Sequence, residues 1–417
     1  MSCNWSLVKL TDVACIITKK IDANQITKDC YISTENMQPY KRGVSSAGSL
    51  PSAAKFNSFR SGDTLFSNIR TYFEKVWLAS FSGGASADVL IFRTKDESIL
   101  LSEYLYHFLS SPEFIEFTVR TSKGAKMPRG DKGAMMDFEF KLPPVEIQKI
   151  IACSLQGLER KVRLNSQTNQ TLEQMAQAIF KSWFVDFDPV KAKMNGEQPE
   201  GMDEATASLF PEKLDSETGI PVGWSQGVIA DIAKLNAKSW TKKNQPEQVH
   251  YVDLANTKNG VIETVTSYYF SEAPSRARRI LNSGDTIVGT VRPGNRSFAF
   301  IGDTEQPLTG STGFAVLSPK EECWTSFVYL ATTNDDSIDE YARLADGGAY
   351  PAIKPVVVAD TPCAIPTKDI AQKFWQLTGS MLKKAHQNRL ENEELAKLRD
   401  TLLPKLLSGE IELKASA

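Results

Sequence analysis

Basic side chains cluster in several polar, glycine-containing stretches of the sequence, and their chemistry is that of anion binding. Lysine and arginine neutralise phosphate groups, and arginine and asparagine can also form paired hydrogen bonds with the edges of bases. The candidate DNA-binding residues are Lys41, Arg42, Arg70, Lys123, Lys126, Arg129, Lys132, Lys242, Lys243, Arg276, Arg278, Arg279, Arg292, Asn295, Arg296, Tyr350 and Lys354. One basic cluster is more often only a solvated surface, whereas clusters in corresponding loops of two halves favour nucleic-acid binding.

No motif for catalysis accompanies the basic clusters. The sequence has no Asp/Asn-Pro-Pro-aromatic motif for methyl transfer to a base, no glycine-rich S-adenosylmethionine loop and no GxxxxGK(S/T) phosphate loop. His107, His250 and His386 are isolated, and the six cysteines form no CxxC pair, which argues against a zinc site and a disulfide framework. The sequence leaves open a nuclease-like group of carboxylates, although no local pattern indicates one. The sequence therefore predicts a protein that recognises nucleic acid and has neither catalytic residues nor a metal site.

Length and charge bound the class of protein. A chain of 417 residues can form two or more domains, each with its own core. No apolar run suggests a membrane span, and the N-terminal MSCNWSLVKL lacks the apolar core of a signal peptide, so we expect a cytoplasmic protein. The net charge of −2 weighs against nucleic-acid binding, but only weakly, because the distribution of charge matters more than its sum.

An internal repeat organises the chain. Residues 365–407 overlay residues 142–184 without a gap at a distance of 223 positions. The matched pairs are Ile147 and Ile370, Leu158 and Met381, Asn165 and Asn388, Asn169 and Asn392, Leu172 and Leu395, and Ile179 and Leu402. With small gaps, Trp5 matches Trp224, Asp63 matches Asp285, Arg70 matches Arg292, and Gly124-Ala125 matches Gly348-Ala349. Two copies of one module imply a pseudo-twofold body.

The gap-free part of the repeat has the heptad spacing of long amphipathic helices. Each segment of about 40 residues would form a helix on the order of 60 Å long, and a twofold axis would pair the two helices antiparallel. Four asparagines near the middle would then set the register, namely Asn165, Asn169, Asn388 and Asn392. The alternative is that they face solvent at a local stutter. Pro404 is expected to kink or restart the second helix.

The remaining segments predict two α+β heads. Short strands are expected at 64–66, 89–92, 286–289 and 314–317, and one helix per head at 100–121 and 324–344, each followed by a glycine-bearing loop. The predicted domains are a first head (1–141), a first long helix (142–185), a linker (186–222), a second head (223–364), a second long helix (365–408) and a tail (409–417). The linker is expected to be irregular or partly mobile.

Three segments carry a resemblance to a known family. They are NQTLEQMAQAIFKSWFVDFDPV (169–190), GIPVGW (219–224) and LRDTLLPKLLSGEI (398–411). They resemble the specificity (S) subunits of type I restriction-modification systems, which take part in phage defence. The resemblance implies two mixed α/β target recognition domains in a pseudo-twofold arrangement, joined by two long antiparallel helices. It also implies that each domain reads one half of a bipartite DNA target.

The resemblance also implies partners and cofactors. Two modification subunits would bring S-adenosylmethionine and methylate adenine, and two restriction subunits would bring ATP, magnesium and cleavage, so this chain itself would bind no cofactor. Candidate docking residues for partners are Phe180, Trp183, Phe184, Leu403, Leu406 and Leu407, unless these side chains only pack on their own heads. Two alternatives stay open: a specificity module of a different restriction-methylation assembly, and a coiled-coil scaffold without a role on DNA.

Overall fold

The computed structural model describes residues 5–411 and 413, and the chain divides into two compact units. Unit 1 comprises Met1–Arg163 and Asn392–Ala417, and unit 2 comprises Leu164–Glu391. Unit 1 is therefore built from two separate stretches of sequence, whereas unit 2 is continuous. Among the described residues, no helix is long and apolar enough to cross a membrane.

The first head lies in unit 1 and is made of short strands in two four-stranded sheets. The strands are β1 (Ser6–Lys9), β2 (Ala14–Ile16), β3 (Lys20–Asp22), β4 (Tyr31–Ile32), β5 (Lys55–Phe59), β6 (Thr64–Ser67), β7 (Val76–Leu78), β8 (Gly83–Ala85), β9 (Val89–Thr94) and β10 (Glu139–Leu142). The sheets have the orders β2-β9-β6-β7 and β3-β5-β8-β4, and β1 pairs with β10. The predicted strands at 64–66 and 89–92 are confirmed.

Helices pack against these sheets. They are α1 (Leu10–Val13), α2 (Ser102–Leu109), α3 (Pro112–Arg120), α4 (Lys132–Met136) and the long α5 (Val145–Phe184), which begins in unit 1. The core of unit 1 includes Tyr104 and Phe108 of α2 together with Leu155 of α5. Leu403 and Leu406, from the C-terminal stretch, complete the same core. The first head is thus packed against both long helices.

The second head lies in unit 2 and has the same kind of layers. Its strands are β11 (Ser225–Val228), β12 (Ala233–Leu235), β13 (Gln248–Val252), β14 (Thr257–Lys258), β15 (Val261–Ile262), β16 (Thr266–Tyr269), β17 (Ala277–Leu281), β18 (Thr286–Gly289), β19 (Phe298–Phe300), β20 (Leu308–Ser311), β21 (Phe314–Pro319) and β22 (Pro362–Ile365). The sheets have the orders β12-β21-β18-β19 and β16-β13-β20-β17, with the pairs β11-β22 and β14-β15. The predicted strands at 286–289 and 314–317 are confirmed.

Unit 2 also contains most of the remaining helices. They are α6 (Asp188–Met194), α7 (Glu204–Ser208), α8 (Ile229–Ile232), α9 (Thr325–Thr333), α10 (Asp335–Leu344) and α11 (Pro355–Ala359), followed by the long α12 (Lys368–Ser408), which continues into unit 1. Both heads are mixtures of helix and sheet next to a long helix, as the repeat predicts.

The two heads share a framework and differ at one sheet edge. In both, a parallel pair lies beside an antiparallel one, β4-β8-β5 in the first head and β13-β20-β17 in the second. The fourth strand differs, because β3 pairs with β5 in the first head, whereas β16 pairs with β13 in the second. The second head also inserts the hairpin β14-β15 before β16.

The single helix predicted in each head is wrong, because two helices occupy each segment. In the first head, the Ser111 hydroxyl accepts a hydrogen bond from the backbone N–H of Phe114 at 3.3 Å, and Pro112 occupies the first helical position. In the second, the Asn334 side chain accepts one from the N–H of Ser337 at 2.9 Å. A capping residue starts a new helix by satisfying its free N–H groups.

The linker is more ordered than the sequence predicts. It contains α6 and α7, and Val190 and Phe210 are buried in the core of unit 2. The Lys193 ammonium donates a hydrogen bond to the carbonyl of Phe210 at 2.6 Å. These contacts fold the linker onto unit 2, which corrects the prediction of irregular or mobile structure.

Pro404 does not interrupt the second long helix, so the predicted restart is wrong. The helix α12 is continuous through Pro404 to Ser408. Proline removes one backbone hydrogen bond of the helix at this position. Leu403 and Leu406 on either side are buried in the core of unit 1 and hold the segment in place.

The asparagine layer predicted between the long helices is present in unit 2. The Asn388 amide donates to Oδ1 of Asn169 at 2.8 Å, and the Asn169 amide donates to the carbonyl of Ala385 at 3.1 Å. Asn165 is buried, and its amide donates to Oε2 of Glu391 at 2.8 Å. The alternative in which these side chains face solvent is therefore wrong. Their role in setting the register stays a prediction.

The helix segments run antiparallel within each unit. In unit 2, Asn165 contacts Glu391 near one end, and the rings of Phe184 and Phe374 lie 4.8 Å apart near the other. In unit 1, the shared core joins Leu155 to the Leu403 region. Asn392, the first residue of the C-terminal stretch, is half-buried.

Candidate nucleic-acid interface

A seven-residue loop in the first head, residues 123–129, is closed by a pair of backbone hydrogen bonds. The N–H of Lys123 donates to the carbonyl of Arg129, and the reverse bond forms as well, each at 2.9 Å. We call this segment tip loop 1. It rests on the chain that follows β6, because the N–H of Arg70 donates to the carbonyl of Pro128 at 2.9 Å.

The second head builds the same loop from different residues. In residues 346–352, tip loop 2, Asp346 and Ala352 exchange backbone hydrogen bonds of 3.1 and 2.8 Å. The N–H of Arg292 donates to the carbonyl of Pro351 at 2.7 Å, which repeats the contact of Arg70 with Pro128.

The correspondence of the tip loops corrects one match made from sequence. Gly124 and Gly347 have positive φ, +101° and +112°, and a Cβ on either would lie 3.4 or 3.3 Å from a carbonyl oxygen across its loop. These two glycines are therefore equivalent, and not Gly124 and Gly348. The repeat at 223 positions thus continues without a gap upstream into the tip loops. A polar loop of differing composition hides this in the sequence.

Arg70 and Arg292 occupy the same unusual backbone conformation. Each is left-handed, with φ of 49°, and each precedes a short 3-10 helix, residues 71–73 and 293–295. A left-handed residue other than glycine costs roughly 1–2 kcal/mol, and such strain often lies at functional sites. Both arginines are exposed, so their strained backbone presents a cation beside each tip loop.

In the second head, Arg292 braces tip loop 2 with its side chain. Its Nη2 donates to the carbonyl of Ala349 at 2.6 Å, and its guanidinium carbon lies 4.6 Å from the centre of the Tyr350 ring. Tyr350 is 71% exposed, so its opposite face is open to solvent. Asn295 and Lys354 are also exposed.

In the first head, ion pairs brace the tip loop instead. Lys123 contacts Asp131 at 2.5 Å, and Arg129 contacts Asp88 at 3.0 Å. The first pair raises the pKa of Lys123 through its hydrogen bond to Asp131. Lys126 and Lys132 are exposed, so this side of the first head carries several cations that face solvent.

A second basic group lies along strand β17 of the second head. The N–H of Trp240 donates to the carbonyl of Arg278 at 2.8 Å, which places the loop with Lys242 and Lys243 beside that strand. Lys242, Lys243 and Arg276 are exposed, and the Arg278 guanidinium lies 4.9 Å from the centre of the Phe270 ring.

Three of the predicted DNA-binding residues form contacts within their own head instead. Lys41 is 6% exposed and forms an ion pair with Glu74 at 2.8 Å. Burial lowers the pKa of Arg279, whose Nη1 donates to the hydroxyl of Ser239 at 3.2 Å. Lys41 and Arg279 thus form internal contacts. Their partners are distant in sequence, so these contacts could not be predicted.

Arg296 is the third of these residues. Its Nε donates to Asn259 at 2.9 Å, and its Nη2 contacts Asp335 at 2.6 Å, so it ties the 3-10 helix to α10. Arg42, in contrast, is exposed, with its guanidinium 6.0 Å from the centre of the Tyr40 ring.

The predicted docking residues are buried, which corrects that assignment. Phe180, Trp183 and Phe184 are 4–7% exposed and pack on Phe327 and Phe374 in the core of unit 2. The docking candidates of the second helix behave alike in unit 1, where Leu403 and Leu406 are buried and Leu407 is partly buried. These apolar side chains, which the contact between the two helices does not require, pack on the head of their own unit.

Each head is also joined to the first long helix by a buried tyrosine. In unit 1, the Tyr106 hydroxyl donates to Glu159 at 3.3 Å, and burial raises the pKa of that glutamate. In unit 2, the Tyr329 hydroxyl donates to Glu173 at 2.7 Å. These bonds fix the orientation of each head on the helix segments of its own unit.

Comparisons with known proteins agree with this architecture. A sequence profile described as Type I restriction modification DNA specificity domain matches residues 3–174. The Type I restriction enzyme HindI specificity subunit of Haemophilus influenzae is 25% identical over an alignment of 466 residues that covers 98% of this chain and 100% of the relative. The MjaIX specificity subunit of Methanocaldococcus jannaschii is 24% identical, with 76% of this chain and 70% of the relative covered.

A solved structure has the same fold. The crystal structure of the type I restriction-modification S subunit from M. genitalium matches with a TM-score of 0.59 and 16% identity, covering 97% of this chain and 96% of that one. At this identity the likeness concerns the fold. The profile over residues 3–174, the relatives aligned over most of the chain, and the duplicated heads with their long helices all make this chain similar to the specificity subunits of type I restriction-modification systems.

Proposed function

We propose that this chain recognises a bipartite DNA sequence, with each head reading one half. The observation that carries the proposal is the tip loop, which is built twice on one backbone but with unlike side chains. Tip loop 1 carries Lys123, Lys126 and Arg129, whereas tip loop 2 carries Asp346 and Tyr350. A shared backbone with different side chains lets one frame present different contacts to two half-sites.

Specificity subunits are non-catalytic and act in complexes with other restriction-modification subunits and DNA. For this chain we infer two modification subunits, which supply S-adenosylmethionine and methylate an adenine in each half-site, and two restriction subunits, which supply ATP, magnesium and cleavage. The lack of methyltransferase and ATPase motifs in the sequence supports this division of labour.

The long helices would set the distance between the half-sites. The antiparallel packing of their segments and the hydrogen bonds of Asn165, Asn169 and Asn388 support a fixed register. Because a slip would leave these amides opposite apolar side chains, the register has one favoured value.

The test is to co-express the chain with its modification subunits and to map methylated adenines in the host genome. We expect one bipartite motif with an adenine in each half, and binding to that duplex at least about 10³-fold tighter than to random DNA at physiological salt. Equal binding of both duplexes would contradict the proposal.

A scaffold without a role on DNA predicts a different result. Charge reversal at Lys126 and Arg292, with both replaced by glutamate, should then leave DNA affinity unchanged. We expect instead a large loss, because two cations beside the tip loops become anions. Methylation by the isolated chain would favour a self-contained enzyme of another assembly.

A further inference from the structure

Each tip loop carries one large apolar side chain that faces solvent. Met127 is 52% exposed and Tyr350 is 71% exposed. They are equivalent residues, because each lies three positions after the positive-φ glycine and directly before the proline that accepts a hydrogen bond from Arg70 or Arg292. Met127 carries no charge, so the basic clusters of the sequence do not include it.

Both side chains are held on rigid backbone. A residue before proline is restricted to extended conformations, and the paired hydrogen bonds at the base of each loop prevent it from opening. Arg292 adds a side-chain bond to Ala349 in tip loop 2. The backbone that carries these groups is therefore ordered before any ligand binds, so less conformational entropy is lost on binding than from an open loop.

An arginine neighbours each apolar tip. The backbone N–H of Arg70 donates to the carbonyl of Pro128, the residue after Met127, and the guanidinium of Arg292 covers one face of Tyr350. An apolar tip backed by an arginine matches a DNA duplex, in which the stacked bases are apolar and the flanking backbone is anionic. Methionine is among the side chains that wedge between base pairs, and aromatic rings stack on bases.

We propose that Met127 and Tyr350 are wedges that enter the base stack, one in each half-site, while Arg70 and Arg292 contact the adjacent phosphates. This inference rests on the proposed function, since it requires that the heads bind DNA. It assigns a role that charge alone would not suggest, because the residues that deform the duplex are uncharged. The unstacked step would also ease withdrawal of a nearby base from the helix.

The experiment uses the chain assembled with its modification subunits and the mapped cognate duplex. 2-Aminopurine, whose fluorescence rises when it is unstacked, is placed at successive positions through both half-sites. We expect a rise at one step in each half. Met127→Ala should abolish the rise in one half only and Tyr350→Ala in the other, each with about tenfold weaker binding.

Two kinds of control sharpen this test. Tyr350→Met should retain the rise, because methionine already serves at the equivalent position of the first head. Ile99→Ala and Tyr269→Ala remove apolar side chains that are 50% and 51% exposed away from the tip loops, and both should leave fluorescence and affinity unchanged.

The outcomes separate this inference from the proposed function. If the complex prefers cognate over random DNA but no position of either half-site shows a rise sensitive to Met127 or Tyr350, the wedge is wrong and DNA recognition stands. If the tip variants instead release a modification subunit, the tips are protein contacts and the wedge is again wrong. If cognate and random duplexes bind equally, the proposed function itself fails.

Discussion

At the scale of single residues, the two heads solve one electrostatic problem in different ways. Asp63 and Asp285 are equivalent and buried. Arg93 binds both oxygens of Asp63, at 2.6 and 2.7 Å. Ser318 takes the corresponding place in the second head, and there burial raises the pKa of Asp285, which accepts a hydrogen bond from the N–H of Asn282 at 2.7 Å.

Arg93→Ala should therefore destabilise unit 1 strongly. Removing the guanidinium leaves the Asp63 carboxylate, whose side chain is 1% exposed, without its counter-ion. The expected loss in free energy of unfolding is about 3 kcal/mol, measured by urea denaturation. Lys397→Ala breaks an exposed pair with Glu394 and is the control, with an expected loss of at most about 0.5 kcal/mol. Equal losses would contradict the account.

His107 should make the first head sensitive to acid. Burial lowers the pKa of this histidine to about 3, whereas an unfolded histidine has a pKa of about 6.5. Below about 6.5 the unfolded chain binds a proton that the folded chain refuses, so stability is lost as pH falls. Between pH 7 and 5 the loss from this group is about 2 kcal/mol.

The variant His107→Leu tests the acid sensitivity. Leu330 stands at the equivalent place in the second head, so leucine suits this fold. Urea denaturation at pH 7 and 5 should show a smaller pH dependence for the variant than for the native chain. Leu109→Val, at a buried apolar site of the same helix, is the control: it removes no titratable group and should keep the native pH dependence.

The sequence predicts where basic residues cluster, but not which of them are exposed and which form internal ion pairs. Arg70 and Arg292 could be paired from the repeat, and the structure places both beside tip loops. Lys41 could not be judged in the same way, because its burial depends on Glu74, which is distant in sequence. Met127 could not be predicted from sequence, because a lone apolar residue in a polar loop matches no pattern of charge or periodicity.

At the scale of elements, the heptad periodicity predicted the two long helices. It did not predict that the shorter helical segment of each head is divided by a capping residue. The predicted bounds 142–185 and 365–408 are close to Val145–Phe184 and Lys368–Ser408. The capping residues Ser111 and Asn334 mark where each predicted single helix divides into two. The different fourth strands could not be predicted, since pairing depends on long-range contacts.

The asparagine pair offers a test of register. Asn388→Leu alone should destabilise unit 2 by about 1–3 kcal/mol, because it leaves Oδ1 of Asn169 without its hydrogen-bond donor. Adding Asn169→Leu should recover most of the loss by creating an apolar contact. A double-mutant cycle in urea measures the coupling, with Gln387→Leu at an exposed site as control. Additive effects would argue against a functional pair.

At the scale of the whole molecule, the two arginines should make equal but separate contributions to DNA binding. If Arg70 and Arg292 each neutralise one phosphate, each substitution by alanine lowers the slope of log affinity against log salt by about 0.9. The double variant should lower it by about twice as much. Filter binding of the complex between low and physiological salt measures the slopes.

Lys149→Ala and Lys384→Ala serve as matched controls for this measurement. Both remove one exposed cation from a long helix and not from a tip loop. Their slopes should equal that of the native complex. A change as large as that of the arginine variants would mean that the slope reports net charge and not phosphate contacts.

The division of the chain has a consequence for its synthesis. Unit 2 is continuous in sequence, whereas unit 1 needs Asn392–Ala417. Leu403 and Leu406 leave the ribosome after the whole of unit 2, so until then Leu155 and its neighbours in the first head stay uncovered. The second head can therefore finish folding before the first, which reverses the usual N-to-C order. A premature stop near residue 391 would spare the later-made head and leave the earlier one incomplete.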